Sequence, residues 1–289
     1  MFHNPPLMPG RRQNPDPIPQ TYYTTWQAPP TTPGATQVAN GPDLMTAVNA
    51  AGDGDTIELT TAGQYAITTL VHTDKVLNIT ALVEGCYLDG AATFTLQGFA
   101  AKTSTFTGVE FRNGSGTKQV YVNNAQSLNL IRCRFNPTTN RKYASVWNAS
   151  TGTITAEGCI WYEAGTTSAV YGRHWMLRNC VIDQNSLSAV CVTQDLYDFV
   201  LHNCAMRTSK ATAVAGTVTG DYNLSNTADA PGANSHDNIT WADEFDASYL
   251  PKTAMGKTGG DPANAAALDY LGNDLSALAV APIGAIIAV

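Results

Sequence analysis

Apolar residues recur along this chain with two superposed periods, one of two residues and one of about 24. The stretch LRNCVIDQNSLSAV at 177 to 190 is matched in length and anchoring by LHNCAMRTSKATAV at 201 to 214, an offset of 24. Leu177, Asn179, Cys180, Ala189 and Val190 return as Leu201, Asn203, Cys204, Ala213 and Val214, while the residues between them drift. Traced backward, the anchor falls at Cys86, Val109, Cys133, Cys159, Cys180 and Cys204, with spacings of 23, 24, 26, 21 and 24. Two residues beyond each stands Leu88, Phe111, Phe135, Trp161, Ile182 or Met206. Side chains two apart share a strand face, so anchor and anchor-plus-two are expected to point into a core.

The residue before each anchor is Gly85, Gly108, Arg132, Gly158, Asn179 or Asn203. Five of these six belong to the types that tolerate positive φ, which predicts a left-handed corner there. A second apolar strand follows with Val120, Val146, Val170, Val190 and Val214, and a third runs through Phe106, Leu130, Leu177 and Leu201 into the corner. Three short strands per 24 residues describe one coil of a single-stranded parallel β-helix. The absence of a helical period between strands excludes a βαβ arrangement, and a β-sandwich is the competing architecture. The organisation expected is an extended arm over 1–35, a cap helix and first strand over 36–58, coils over 59–225 and a loop-rich closing segment over 226–289.

Pro42 opens and Gly52 ends the expected cap helix, whose Leu44, Ala47, Val48 and Ala51 lie on one face. The arm holds nine of the fifteen prolines, a composition that gives extended, polyproline-like chain. Its Phe2, Tyr22, Tyr23 and Trp26 have no local partner, so they either fold back on the solenoid or dock on another protein.

The cap, GDTIEL and the coils resemble the pectate-lyase-like right-handed parallel β-helix superfamily, over roughly residues 36 to 289. The tail, with DYNLSNTADAPGANSHDNITWADEF, is similar to the closing segments of phage and environmental β-helix repeat proteins. That resemblance implies right-handed winding; the superfamily contains lyases, hydrolases, tailspikes and proteins without activity.

Composition narrows the function. Hydrophobic residues make up 44% of the chain and charged residues 13%, against a usual charged fraction of about 25%. The net charge of −7, with no basic cluster beyond Arg11–Arg12, excludes a phosphate-tracking nucleic-acid face. No apolar run reaches membrane-spanning length and no secretion signal opens the chain. This predicts free thiols at all six cysteines and synthesis in a host cytoplasm.

Glu163 and Asp183, on adjacent coils near one corner, are the leading candidate for the carboxylate pair of a retaining glycosidase, which neighbouring coils would hold about 5 Å apart. The position three beyond each anchor, however, holds Asp89, Arg112, Asn136, Tyr162, Asp183 and Arg207. That is expected to be a solvated polar ladder in which Asp183→Asn is silent. No cluster of three acids falls at coil spacing, so no lyase residues carry over from the resemblance. GDGD at 52–55 is expected to be a turn. The histidines lack metal-ligand spacing, with His174 and His202 expected on solvated strand faces, and no metal or cofactor is expected.

Tyr121, Trp147 and Tyr171 alternate with the inward valines and predict an outward aromatic stripe, for subunit packing in a trimer or for stacking on sugar. The function expected is a non-catalytic virion surface protein: a phage capsid decoration or small tail-spike-like component. It would attach to a capsid or other virion protein through residues 1–35, with a host-surface glycan as a further partner. The alternatives are a polysaccharide lyase or hydrolase and a carbohydrate-binding adhesive module.

Overall fold

The computed structural model describes residues 25–39, 43–67, 70–90, 94–98, 101–112, 118–136, 142–162, 165–185, 189–195, 197–276 and 278–286. Within them the chain winds as a parallel β-solenoid of about 24 residues per turn. Each turn contributes one strand to each of three sheets. The first has nine strands, from Thr36–Val38 to Thr219–Asp221; the second has eight, from Gly63–Ile67 to Leu224–Ser225; the third has seven, from Leu70–Thr73 to Val214–Ala215.

The period-two pattern fixes which side chains enter the core. Phe106, Leu130, Ala156, Leu177 and Leu201 stack in register along the first sheet, all fully buried. All six anchors are fully buried too, as are Phe135, Trp161, Ile182 and Met206, and Leu88 and Phe111 are nearly so. Phe111, Phe135 and Trp161 form a continuous ring stack, with centroids 4.8 and 5.0 Å apart and planes within 5° and 3° of parallel.

All six residues before the anchors adopt positive φ, Arg132 included, at +56°. An arginine there carries a strain of about 1–2 kcal/mol that glycine would not. Its guanidinium holds it there, through bonds to the Gln27 and Tyr270 carbonyls.

One expected register is wrong. Val192, not Val190, continues the ladder of Val120, Val146, Val170 and Val214, and Val190 pairs with Ser168. Two valines two residues apart face the same way, so the alternation cannot choose between them; the length of the preceding loop does. Val190 is still buried, at 7% exposure.

Helix Asp43–Ala50 connects, in sequence, the first two strands of the first sheet, and its Leu44 and Val48, with the following Ala51, join the main core. Pro42 lies outside the described residues. Gly52 N–H donates to Asp55 Oδ2 at 2.7 Å, and Asp53 accepts from Val76 N–H and pairs with Lys102, so GDGD builds a turn.

A second apolar cluster forms on the outside of the second sheet. Ile160, Val181 and Ala205, each one residue after an anchor, and Leu224, paired with Ala205, face Trp241, Phe245, Tyr249 and Ile283 from the closing segment. In the earlier turns the same position holds the polar Tyr87, Glu110 and Arg134, of which Arg134 hydrogen-bonds the Tyr270 side chain. The apolar part of the closing segment therefore docks on the later turns, while Tyr270 reaches back to Arg132 and Arg134.

Candidate functional site

Strands Ile160–Tyr162, Val181–Gln184 and Ala205–Thr208 lie side by side and bring Tyr162, Asp183 and Arg207 into one row. The row forms one wall of a 370 Å³ cavity whose other wall is Trp241, Phe245 and Tyr249. Glu163, the other half of the candidate carboxylate pair, lies outside the described residues.

Asp183 is fully buried, which corrects the expectation of a solvated ladder at this position. Its Oδ1 accepts from Arg207 Nε at 2.9 Å and from Asn185 N–H at 3.1 Å. Its Oδ2 accepts from Arg207 Nη2 at 2.5 Å and from the Tyr249 hydroxyl at 3.1 Å. The cause is the closing segment: alternation turns Asp183 away from the solenoid interior, but Tyr249 covers it. Burial and the neighbouring carboxylate together hold the Tyr249 phenol well above its ordinary range. Burial alone would lower Arg207, and its bond to Asp183 reverses this and keeps the guanidinium charged. The Arg207 guanidinium also lies 5.1 Å over the Trp241 ring. With four donors on its two oxygens, Asp183 is a structural anchor, poorly suited to accept a substrate proton.

The aromatic stripe occupies the third sheet. Tyr121, Trp147 and Tyr171 are in register, each half-buried and next to a fully buried valine. Their centroids are 6.3 and 4.7 Å apart and successive rings meet edge to face, at 78° and 68°.

Trp26 takes the fold-back alternative. Its ring packs against the corner at Gly108, where an added Cβ would come within 2.9 Å of it, and faces the Arg132 guanidinium at 4.9 Å. Arg132 Nη2 donates to the Gln27 carbonyl at 2.6 Å and Nε to the Tyr270 carbonyl at 3.0 Å, while Gln27 N–H donates to Leu271. The same row of corners receives the closing segment further on. Asn179 accepts from Ala266 N–H and donates to Pro282, and Asn203 makes the equivalent pair of bonds with Asp261. Phe2, Tyr22 and Tyr23 lie outside the described residues.

No family model, curated protein or solved structure matches this chain.

His202 sits half-buried on its strand, and burial, followed by the nearby Arg178, lowers its pKa. His174 is not on a strand face: it takes φ +48° just before Trp175–Arg178 and stacks on Tyr197 at 4.6 Å. Among the described residues no group of three or more His, Cys, Asp or Glu side chains is placed to hold a metal ion, and no helix is long and apolar enough to cross a membrane.

The residues missed from sequence are Arg132, Arg207, Trp241 and Tyr249. A signal for part of this exists: the position after the anchor changes from Tyr87, Glu110 and Arg134 to Ile160, Val181 and Ala205. An outward row that turns apolar halfway along a solenoid announces a covering segment.

Proposed function

We propose that this protein is a non-catalytic virion surface component. The part N-terminal to Trp26 attaches it to a capsid or other virion protein, and the solenoid projects, wound right-handed as in the pectate-lyase-like superfamily and capped by helix Asp43–Ala50. The observation that carries the reading is the clasp of Arg132 on Trp26, Gln27 and Tyr270. A load on the arm would enter the solenoid at a mid-length corner also held by the closing segment, instead of peeling away an end strand. The saturated coordination of Asp183 supports the absence of carboxylate chemistry at that position.

The stripe of Tyr121, Trp147 and Tyr171 is the proposed contact between subunits of a trimer. Its half-buried rings offer apolar area on a strand row otherwise occupied by Val71, Thr95, Thr193 and Ala215, with no charge to desolvate. Contact of the same rings with a host-surface glycan is the second reading, favoured by their edge-to-face order, which leaves ring faces at different angles.

The test is deletion of residues 1–24, stopping short of Trp26 because a longer cut would remove the clasp. The truncated protein should fold with unchanged thermal stability and no longer sediment with particles that bind the full chain. Retained particle binding would overturn the attachment reading.

A further inference from the structure

The 370 Å³ cavity between the second sheet and the closing segment falls within the range of about 300–1,000 Å³ usual for small-ligand sites. Four aromatic residues line it, but Trp241, Phe245 and Tyr249 are buried in the cluster that holds the closing segment in place. Tyr162 is different. It is 38% exposed, belongs to none of the apolar clusters, and packs on no other ring among the described residues. Its register beside Asp183 and Arg207 sets it on the cavity wall.

The charged groups on the walls are Asp183, Arg207 and Asp246. Arg207 is joined to Asp183 by two hydrogen bonds yet keeps 26% of its side-chain surface open. Asp246 is exposed; its Oδ1 accepts from Ser248 and Leu250 N–H, and its Oδ2 accepts from no donor among the described residues. Lys252 adds a positive charge beside the wall, where Nζ donates to the Ala242 carbonyl at 2.5 Å. Two positive and two negative charges cancel, so little remains to select an ion. An anion would compete with Asp183 for Arg207, and a cation would meet a Trp241 ring that Arg207 already faces at 5.1 Å. What the cavity offers is an open aromatic side chain, a donor and an acceptor. A pyranose ring has the matching character, with C–H groups across one face and hydroxyls at its edge that both donate and accept.

We propose that this cavity binds a neutral sugar ring, stacked on Tyr162 with its hydroxyls on Arg207 and Asp246. The site is separate from the stripe of Tyr121, Trp147 and Tyr171 on the third sheet and does not rest on the attachment proposed above. Ligand-observed NMR titration of the full chain would use the methyl pyranosides of glucose, galactose, mannose and N-acetylglucosamine, with galacturonate and choline as charged probes. At least one neutral glycoside is expected to bind with Kd of about 10 mM or tighter. Tyr162→Ala removes the platform and Ala247→Trp adds bulk at an exposed position of the wall. Each should weaken binding by about tenfold or more at unchanged Tm, while Trp147→Ser binds as the parent does. The proposal is overturned if no neutral glycoside binds at about 10 mM, or if galacturonate or choline binds as tightly as the best of them. It is equally overturned if both wall variants bind as the parent does, or if Trp147→Ser abolishes binding.

Discussion

Asp183 and Arg207 occupy the same position on adjacent strands and are joined by two hydrogen bonds, Nε to Oδ1 at 2.9 Å and Nη2 to Oδ2 at 2.5 Å. The carboxylate side chain is 1% exposed and the guanidinium 26%. Asp183→Asn keeps the shape and removes the charge, leaving Arg207 without its counter-ion. Because Arg207 keeps some contact with water, the expected loss is about 2–3 kcal/mol, at or below the lower end for breaking a buried pair. Urea unfolding measures it; an unchanged midpoint would restore the solvated ladder expected from sequence.

At the Arg132 corner, strain and clasp can be separated. Arg132→Ala removes both carbonyl bonds and keeps a side chain at φ +56°, whereas Arg132→Gly removes the bonds and the strain together. Both variants should be less stable than the parent, with glycine ahead of alanine by about 1 kcal/mol. Equal stability of the two would show that the corner is not strained.

Phe135 lies between Phe111 and Trp161 in the interior ring stack. Rings locked between parallel neighbours on successive turns have little room to collapse, so Phe135→Ala should cost about 3–5 kcal/mol. Phe135→Leu, which keeps most of the volume, should cost clearly less, and thermal denaturation of the pair gives the comparison.

Burial raises the thiols of Cys159, Cys180, Cys191 and Cys204 well above their ordinary range. Below about pH 8.5 these thiols keep their protons in the folded and the unfolded chain alike, and stability does not depend on them. Above it the unfolded chain loses its thiol protons first, so stability falls as pH rises, by up to about 1.4 kcal/mol per pH unit for each thiol. The urea midpoint at pH 9.5 should therefore lie below that at pH 8. All six cysteines are free and buried, so a thiol reagent should find six in denaturant and react slowly with the native protein.

The anchors show how far local pattern reaches. The 24-residue repeat and period two together place Cys133, Phe135, Cys159 and Trp161 in the core, and they are there because a strand has only two faces. The repeat places Val190 at the ladder position that Val192 holds, since alternation fixes a face and leaves a slip of two residues open. Alternation places Asp183 in solvent because its own strand turns it away from the interior. The pattern of one strand carries no information about a segment 66 residues later that lays Tyr249 over it.

The amino-acid sequence by itself determined the repeat, the parallel stacking, the inward rows and five of the six left-handed corners, because each depends on residues within one turn or on the same position in the next. Only the tertiary structure decided what those corners are for. Gly108, Arg132, Asn179 and Asn203 receive Trp26, Gln27, Tyr270, Pro282 and Asp261 from the two ends of the chain. The physical reason is that a left-handed corner turns its backbone and side-chain polar groups outward. Which distant strand of chain satisfies them is settled by packing across more than a hundred residues, not by any local period.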